Sequence, residues 1–584
     1  MSNSASVGVP SLHIPRSHLT TESNKTGSWR FLRPRYDEKT APCSAACPAG
    51  EDIARIEMLT AQGLFKEAWE TVLQENPFPA VCGRVCFHPC ETACNRGEFD
   101  EPIAIPAMER FLADTASRYE LKPHLDQRSP RAERVAIVGA GPSGLAAAYF
   151  LARLGYRCDL FEKRAEPGGI LRWGIPSYRL PGNALCKEIE LIESLGVHLH
   201  CSTPIGRDFL QKGTPDYAAV FLGCGHDRRL RLGIPGEDLP GIVDGMKFLE
   251  GIRRGEVPRL QGSAAIIGGG NTAMDVARSV RRLGAQAVVI YRRRQQDMRA
   301  FADEITMALE EGVIIRELEL PMSIETSPAG FSLSLQAMQV VEAASDAQAK
   351  VEPISGKVSN IEVQHIFSAI GAESSENWID PAGTTGERLV LDHSVIARSP
   401  MGFLLCFGGD LTNDIKSVVH AVASGKETAM ALDVILRDGW EAVPAKLSEC
   451  RVGGGTALSM EMHMKGPRCR RNPHVVAFAE INSDYFQFAS RFMQPRLLRE
   501  ERLQSFAEID LKISANIAMH EAERCFHCGL CNQCDNCQLF CPDMAVKRDE
   551  SNQGRHIDYD YCKGCGVCVV ECPRNAMSLE QEPD

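Results

Sequence analysis

Sixteen of the 23 cysteines fall in two short stretches, residues 43–94 and 525–572, while seven stand singly. Near the end the chain reads Cys531-x2-Cys534-x2-Cys537-x3-Cys541-Pro542, then Cys562-x2-Cys565-x2-Cys568-x3-Cys572-Pro573. A cubane cluster takes four thiolates, and in tandem runs of this kind the fourth cysteine of each run serves the other cluster. The spacing therefore predicts one [4Fe-4S] cluster on Cys531, Cys534, Cys537 and Cys572, and another on Cys562, Cys565, Cys568 and Cys541. Zinc also binds Cys-x2-Cys pairs, but the doubled run ending in Cys-Pro speaks for iron and sulfide. Cys525 and Cys528 leave the register of the first run open, because Cys525-x2-Cys528-Gly529-x-Cys531 imitates Cys562-x2-Cys565-Gly566-x-Cys568.

In the earlier stretch, Cys43-x3-Cys47-Pro48 precedes Cys82-x3-Cys86-x3-Cys90-x3-Cys94. On a helix the x3 spacing puts successive thiols one turn apart on one face. One cluster on Cys47, Cys86, Cys90 and Cys94 is expected there, with Cys43 and Cys82 unassigned, which makes about three clusters in all. A disulfide framework suits small secreted domains. This chain has 584 residues and opens Met1-Ser2-Asn3-Ser4, without a charged-then-apolar leader, so reduced cysteines in the cytoplasm are expected.

Two glycine-rich turns supply a second kind of chemistry. Arg134-Val135-Ala136-Ile137-Val138 reads as a buried strand, followed by Gly139, Gly141 and Gly144 at GxGxxG spacing. The glycines serve a tight turn, close approach of the backbone to a pyrophosphate, and close helix packing, and the helix N-terminus faces the diphosphate. Glu162 ends the next strand, where an acid can bond ribose hydroxyls. Gly169, within Glu166-Pro167-Gly168-Gly169, fits a loop around the same nucleotide, and Gly409-Asp410 resembles the flavoprotein segment whose aspartate binds a ribityl chain. These residues point to FAD. The device recurs at Ala264-Ala265-Ile266-Ile267 with Gly268, Gly270, Asn271 and Ala273, but the following strand ends in Arg292-Arg293 where the first unit has Glu162. Guanidinium groups bind a 2′-phosphate that an acid would repel, so NADPH is favoured over NADH.

Stepping outward from these residues, the chain divides into an N-terminal arm (1–40), a helical iron–sulfur domain (41–130), the first part of an FAD domain (131–250), an NADP domain (251–369), the rest of the FAD domain (370–440), a linker and helix (441–520), and a two-cluster ferredoxin domain (521–584). The arm reads as extended or partly disordered, and Gly453-Gly454-Gly455 as a flexible joint before one charged helix, Arg496 to Glu523. The fold class is α/β, with tandem Rossmann-like units behind an α-helical iron–sulfur domain and ahead of an α+β ferredoxin-like one. A net charge of −12 argues against a nucleic-acid surface. The uncharged stretch Val135 to Ala152 reads as strand, turn and helix rather than as a membrane span.

With Cys47-Pro48, Asn76-Pro77-Phe78-Pro79, Gly83-Arg84-Val85-Cys86, both turns and Tyr291-Arg292-Arg293 in order, residues 40–440 resemble the glutamate synthase small-subunit family and the NADPH-oxidising half of dihydropyrimidine dehydrogenase. The last module resembles two-cluster ferredoxins. The resemblance implies a glutathione-reductase-like pair of domains, the NADP unit inserted in the FAD unit, and partnership with a catalytic subunit or ferredoxin in a hetero-oligomeric complex. Relatives of this kind hold two N-terminal clusters, the first using a CxxC pair ahead of the position of Cys43. Arg35 and Glu38 occupy the matching places here, hence the expectation of one cluster at this end. The function expected is an NADPH-linked electron-transfer oxidoreductase. The rivals are a non-catalytic redox sensor or scaffold, and a flavin disulfide reductase, which would need a paired redox CxxC where Cys158, Cys186, Cys201, Cys224 and Cys406 are single.

Overall fold

A computed structural model describes residues 25–212, 216–342, 350–376, 387–399, 402–549 and 554–582. Two parallel sheets form its centre. The larger has seven strands in the order Arg388–Val390, Val395–Arg398, Leu404–Phe407, Ala219–Leu222, Arg134–Val138, Arg157–Phe161 and His198–His200, parallel except at the first two pairings. Its central strands are Val/Ile/Ala/Phe-rich because helices and loops cover both faces, and Val135, Ala136, Ile137 and Phe221 are fully buried.

The second sheet has five parallel strands, Ile314–Glu317, Gln286–Tyr291, Ser263–Ile267, His365–Ser368 and Ile242–Asp244. It is inserted between Ala219–Leu222 and Leu404–Phe407, which lie side by side in the larger sheet. The two crossing segments pair with each other at Arg228–Arg229 and Ala372–Glu373. A three-stranded antiparallel sheet, Glu319–Ser327, Gly330–Glu342 and Lys350–Val363, packs on the inserted unit through Ile324, Leu333 and Leu335.

The iron–sulfur region ahead of these sheets is helical, with helices Pro42–Ala46, Ile53–Ala61, Phe65–Glu75, Pro79–Val85, Pro89–Thr92 and Ile105–Arg118. The evenly spaced cysteines do not share one helix. His88 adopts a left-handed backbone (φ 51°) ahead of Pro89 and splits the run, because the residue before a proline is kept out of the right-handed helical region.

The described part of the arm is extended, as expected, while the glycine triplet and the later helix differ from expectation. Residues 1–24 of the arm lie outside the described residues. Residues 32–36 are extended, and they pair antiparallel with Met577–Gln581 of the terminal module. Gly453 is no flexible joint. It has φ 64°, and a Cβ there would lie 2.7 Å from Val475 Cγ2 and 3.3 Å from Ala45 Cβ, within a strap whose Val452, Leu458, Met460 and Val476 are buried. The stretch Arg496 to Glu523 is two helices, Arg499–Gln504 and Ala515–Glu523, because Arg496 pairs with Asp510 and holds the chain between them extended. Among the described residues no helix is long and apolar enough to cross a membrane.

Candidate nucleotide and cluster sites

The first glycine turn connects Arg134–Val138 to the buried helix Pro142–Arg153. A Cβ on Gly144 would lie 1.9 Å from the Gly139 carbonyl oxygen, so helix and strand can approach only with glycine there. A Cβ on Gly141 would meet nothing within 4 Å. The turn is thus filled from behind and open in front, which is the cradle a diphosphate needs. Glu162 closes it from the side, its carboxylate accepting N–H bonds from Ala140 (2.9 Å) and Arg164 (2.9 Å). Gly169, at φ 53°, lies against the same turn, where its Cβ would come 2.8 Å from Gly141 Cα.

The distant Gly409-Asp410 arrives at this place through the helix Val418–Asp438, which crosses Pro142–Arg153 at Gly425. A Cβ on Gly425 would lie 2.5 Å from the Ser143 carbonyl oxygen. Ser424 Oγ accepts the Gly409 N–H (2.7 Å) and contacts Ser143 Oγ (2.9 Å). Burial raises the Asp410 carboxyl above its ordinary range, offset by Lys416 and His226. Gly139, Gly141, Gly144, Glu162, Gly169, Gly409 and Asp410 therefore share one site. The two serines carried no sequence signal, since each works through a contact 281 residues away.

The second turn repeats the arrangement. Gly268 has φ 142° and faces the Ala369 carbonyl, Gly270 opens to free space, and Ala273 is buried under the strand. Asn271 Oδ1 accepts the Phe301 N–H (2.9 Å). Gly269 makes room for the Tyr291 ring, whose atoms would lie 2.5 Å from a Cβ, so the end of Gln286–Tyr291 is drawn against the turn. Arg292 follows and is exposed, Arg293 is half-buried, and Arg294 is committed to Asp297 at 2.8 Å.

Among the described residues no three His, Cys, Asp or Glu side chains converge as a single metal ion requires. The terminal cysteines instead surround two holes. Cys541, Cys562, Cys565 and Cys568 line one, and Cys531, Cys534, Cys537 and Cys572 line the other. Each hole draws three thiols from one run and one from the other, which is the exchange a pair of cubanes needs. Backbone N–H groups point at these sulfurs, Ala545 at Cys541 (3.3 Å) and Ala576 at Cys572 (3.3 Å), and the Tyr36 hydroxyl lies 3.3 Å from Cys537 Sγ. Donors of this kind favour thiolate over thiol.

At the other end, Cys47, Cys86 and Cys90 lie together, each within the electrostatic reach of another, and the His88 N–H points at Cys86 Sγ (3.4 Å). Cys82 and the buried carboxyl of Glu109 both act on Cys86. Cys94 is not among the thiols that reach Cys86 and Cys90. It follows the helix Pro89–Thr92 by one turn and faces Cys43, Cys525 and Cys528. The break at His88 separates it from the Cys86 end of the run that the spacing joins. Behind the first group sits a buried polar network. Asn76 Nδ2 donates to Glu51 (2.8 Å) and Glu109 (3.1 Å), and Lys426 Nζ donates to Glu75 (2.7 Å) and to the Ala49 carbonyl. Burial pushes Glu51 up to about 7 and lowers the Lys426 ammonium. Lys426 sits on the helix that supports Gly409, so this network joins the cluster domain to the first nucleotide site. Phe87, next to Cys86, stacks on His420 of that helix (5.8 Å) and on Phe301 beside the second turn (6.0 Å).

Comparison with known proteins agrees with this layout. The model for pyridine nucleotide-disulphide oxidoreductase matches residues 133–425, half of the chain. The model for dihydropyrimidine dehydrogenase domain II, 4Fe-4S cluster, matches residues 35–121, and the 4Fe-4S binding domain matches residues 555–578. The chain belongs to the pyridine nucleotide-disulphide oxidoreductase family and is an NAD(P)H-linked flavin oxidoreductase with iron–sulfur domains at both ends. Among its relatives, the NADP(+)-dependent formate dehydrogenase subunit beta of Moorella thermoacetica is 36% identical over 68% of this chain and 60% of its own length. The NADPH-Fe(3+) oxidoreductase subunit beta of Geobacter sulfurreducens is 34% identical over 84% of this chain and 75% of its own. The NAD-dependent dihydropyrimidine dehydrogenase subunit PreT homolog of Salmonella typhi is 32% identical over 68% and 92%.

Proposed function

We propose that this chain is the NADPH-linked electron-transfer subunit of a larger cytoplasmic oxidoreductase, moving electrons between NADP(H) and a partner subunit or ferredoxin. One observation carries this reading. Two open glycine cradles of unlike partner chemistry, one closed by Glu162 and one flanked by Arg292, stand beside thiol groups reaching to the chain's last module. The residues fit the cofactors: Gly141 and Gly270 leave space where a Cβ would intrude, and each terminal cysteine set surrounds a hole rather than a point. Bound together, a nicotinamide and a flavin exchange a hydride, and iron–sulfur clusters exchange single electrons with the flavin.

The chain's own residues position and exclude. The helix Pro142–Arg153 presents its N-terminus to one diphosphate, Ser424 and Ser143 fix Gly409 and with it Asp410, and Phe87 packs between the two nucleotide units and Cys86. The family's disulphide chemistry is not expected here, because the five cysteines of the nucleotide units, Cys158, Cys186, Cys201, Cys224 and Cys406, stand singly in the sequence. Relatives named as beta subunits, one of a formate dehydrogenase and one of an NADPH-Fe(3+) oxidoreductase, support a partner subunit, and a formate-, 2-oxoacid- or glutamate-synthase-like enzyme is the kind of partner proposed. Anaerobic protein mixed with NADPH should bleach its flavin and reduce a viologen dye. A chain that holds both cofactors and reduces nothing would be the scaffold or sensor instead.

A further inference from the structure

Cys525 and Cys528 fall outside the two cysteine-lined holes of the terminal module, Cys94 is not among the thiols that reach Cys86 and Cys90, and Cys43 reaches Cys90 on one side and Cys94 on the other. The fold brings these four thiols together. Arg96 Nη1 donates to the Arg524 carbonyl (2.8 Å), Arg524 Nη2 donates to the Glu101 carbonyl (2.8 Å), and Lys39 N–H donates to the Gly529 carbonyl (2.9 Å). Residues 94–101 and 39–43 are thus fastened to residues 524–529 from two sides. Cys43 lies in the field of Cys94, Cys525 and Cys528, Cys525 in that of Cys94 and Cys528, and Cys528 in that of Cys94, so every pair among them is mutually close.

From this juxtaposition we infer that Cys43, Cys94, Cys525 and Cys528 ligate a further [4Fe-4S] cluster, shared between the N-terminal domain and the segment that leads into the ferredoxin module.

The backbone supplies an independent sign. In Cys525-Phe526-His527-Cys528-Gly529 the third and fifth residues have left-handed backbones, φ 49° at His527 and φ 76° at Gly529. The same positions are left-handed in the two terminal loops, Gln533 and Asp535 (φ 61° and 66°) after Cys531, and Gly564 and Gly566 (φ 72° and 76°) after Cys562. In all three the third residue's N–H is turned onto the first cysteine's sulfur, at 3.3 Å from His527 to Cys525. A histidine held at positive φ is uncommon and strained, and strain of this kind accompanies ligand-binding loops. Asn95 Nδ2 adds a side-chain donor 3.4 Å from Cys528 Sγ. Neutral thiols packed as core residues need no such donors. Thiolates around iron do, and a bound cation deprotonates its thiols outright.

The placement gives the site a use. Cys43 and Cys47 are one helical turn apart, about 6 Å along the axis, and Cys90 and Cys94 bridge the same two groups. Cys528 and Cys531 are three residues apart, so their Cα atoms lie at most about 11 Å apart. The shared site therefore stands between the Cys47 group and the first terminal cluster, and without it electrons would have to cross its full width. Each transfer here moves one electron, leaving one cluster oxidised as the next is reduced, with no bond made or broken.

This inference rests on the electron-transfer reading, but its test is separate from it. The full chain, reconstituted anaerobically with iron and sulfide, should hold about 16 iron atoms rather than about 12. Cys525→Ser/Cys528→Ser and, from the other end of the chain, Cys94→Ser should each lose about four irons, keep FAD, and still let NADPH bleach the flavin, while electron delivery to the terminal clusters falls at least tenfold. Wild-type protein with about 12 irons, or a double variant with unchanged iron, overturns the site, and the wild-type count decides even where the variants do not fold. A chain with the full iron content that ignores NADPH would defeat the electron-transfer reading and leave this site standing.

Discussion

Coenzyme choice should follow Arg292. The strand Gln286–Tyr291 runs parallel to Ser263–Ile267 with Ile290 opposite Ile267, so its last residues stand beside Gly268. Tyr291 packs over Gly269, and Arg292, the next residue, is exposed. Arg294 is occupied by Asp297, which leaves Arg292 as the exposed cation of the run. A hydrogen bond to a charged group contributes about 1.5–3 kcal/mol, and exposure puts this one towards the lower figure. Arg292→Ala should then lower kcat/KM for NADPH by about 10- to 100-fold, since each 1.4 kcal/mol is tenfold. NADH, lacking the 2′-phosphate, should change by less than about twofold. Steady-state viologen reduction under anaerobic conditions, run with both coenzymes, measures the ratio. Raising the ionic strength should narrow the NADPH difference, because exposed charges are screened. Equal losses for both coenzymes, or none for NADPH, would refute the assignment of Arg292 to the phosphate.

Three further outcomes test the sites and their support. Gly144→Ala should prevent FAD binding by forcing strand and helix apart, since its Cβ would fall 1.9 Å from a carbonyl oxygen, whereas Gly141→Ala should leave apoprotein stability within about 0.5 kcal/mol yet still weaken FAD, read by urea unfolding and flavin titration. Burial pushes Glu427 up to about 7 from an ordinary 4.5, so its contribution to stability is complete below pH 4.5 and is lost as pH rises through 7. That loss is on the order of 3 kcal/mol, and Glu427→Gln should flatten the pH dependence of the urea midpoint, an identical slope in both proteins counting against it. Lys426→Met should destabilise by about 3 kcal/mol, the low end for breaking a buried ion pair, because Glu75 keeps Ser459, the Met460 N–H and Arg468 as partners. A loss below about 1 kcal/mol in denaturant titration would mean that the lysine is neutral when buried.

Both glycine turns were legible in the sequence because everything they need is local. Strand, turn and helix lie within about twenty residues, and Gly144 and Gly268 are demanded by carbonyls of their own units while Gly141 and Gly270 face open space. The terminal cluster ligands were legible for a related reason, since the exchange between two adjacent runs is built into their spacing. On the inference above, the places of Cys94 and Cys528 were not. Spacing of x2 or x3 says that thiols can converge but not which distant thiol joins them, and the contact that decides the matter spans 433 residues, from Asn95 to Cys528. Arg35 and Glu38 have a structural part that the sequence did not announce. Where a CxxC pair was looked for, the chain instead forms a strand against residues 577–581, and Glu38 accepts the Cys531 N–H at 3.3 Å. The glycine triplet at 453 failed because composition cannot register that Val475 and Ala45 close over it.

The two ends of this chain are each incomplete without the other. The terminal module takes an edge strand from residues 32–36, a lysine from residue 39 that bonds the carbonyls of Asn575 (2.8 Å) and Met577 (3.0 Å), and a tyrosine hydroxyl on Cys537. In return, on the inference above, it lends Cys525 and Cys528 to a site that the N-terminal domain only half provides. A ferredoxin unit held in this way cannot swing on a tether between donor and acceptor, because its position is set by strand pairing and by buried ion pairs such as Arg524 with Asp100. Electrons must therefore leave where the fixed module meets solvent. Cys534 and Cys565 are exposed, while Cys537, Cys562 and Cys568 are buried. A partner's redox centre would accordingly have to come to the Cys534 and Cys565 side, and blocking that face should stop transfer to the partner without slowing reduction of the flavin by NADPH.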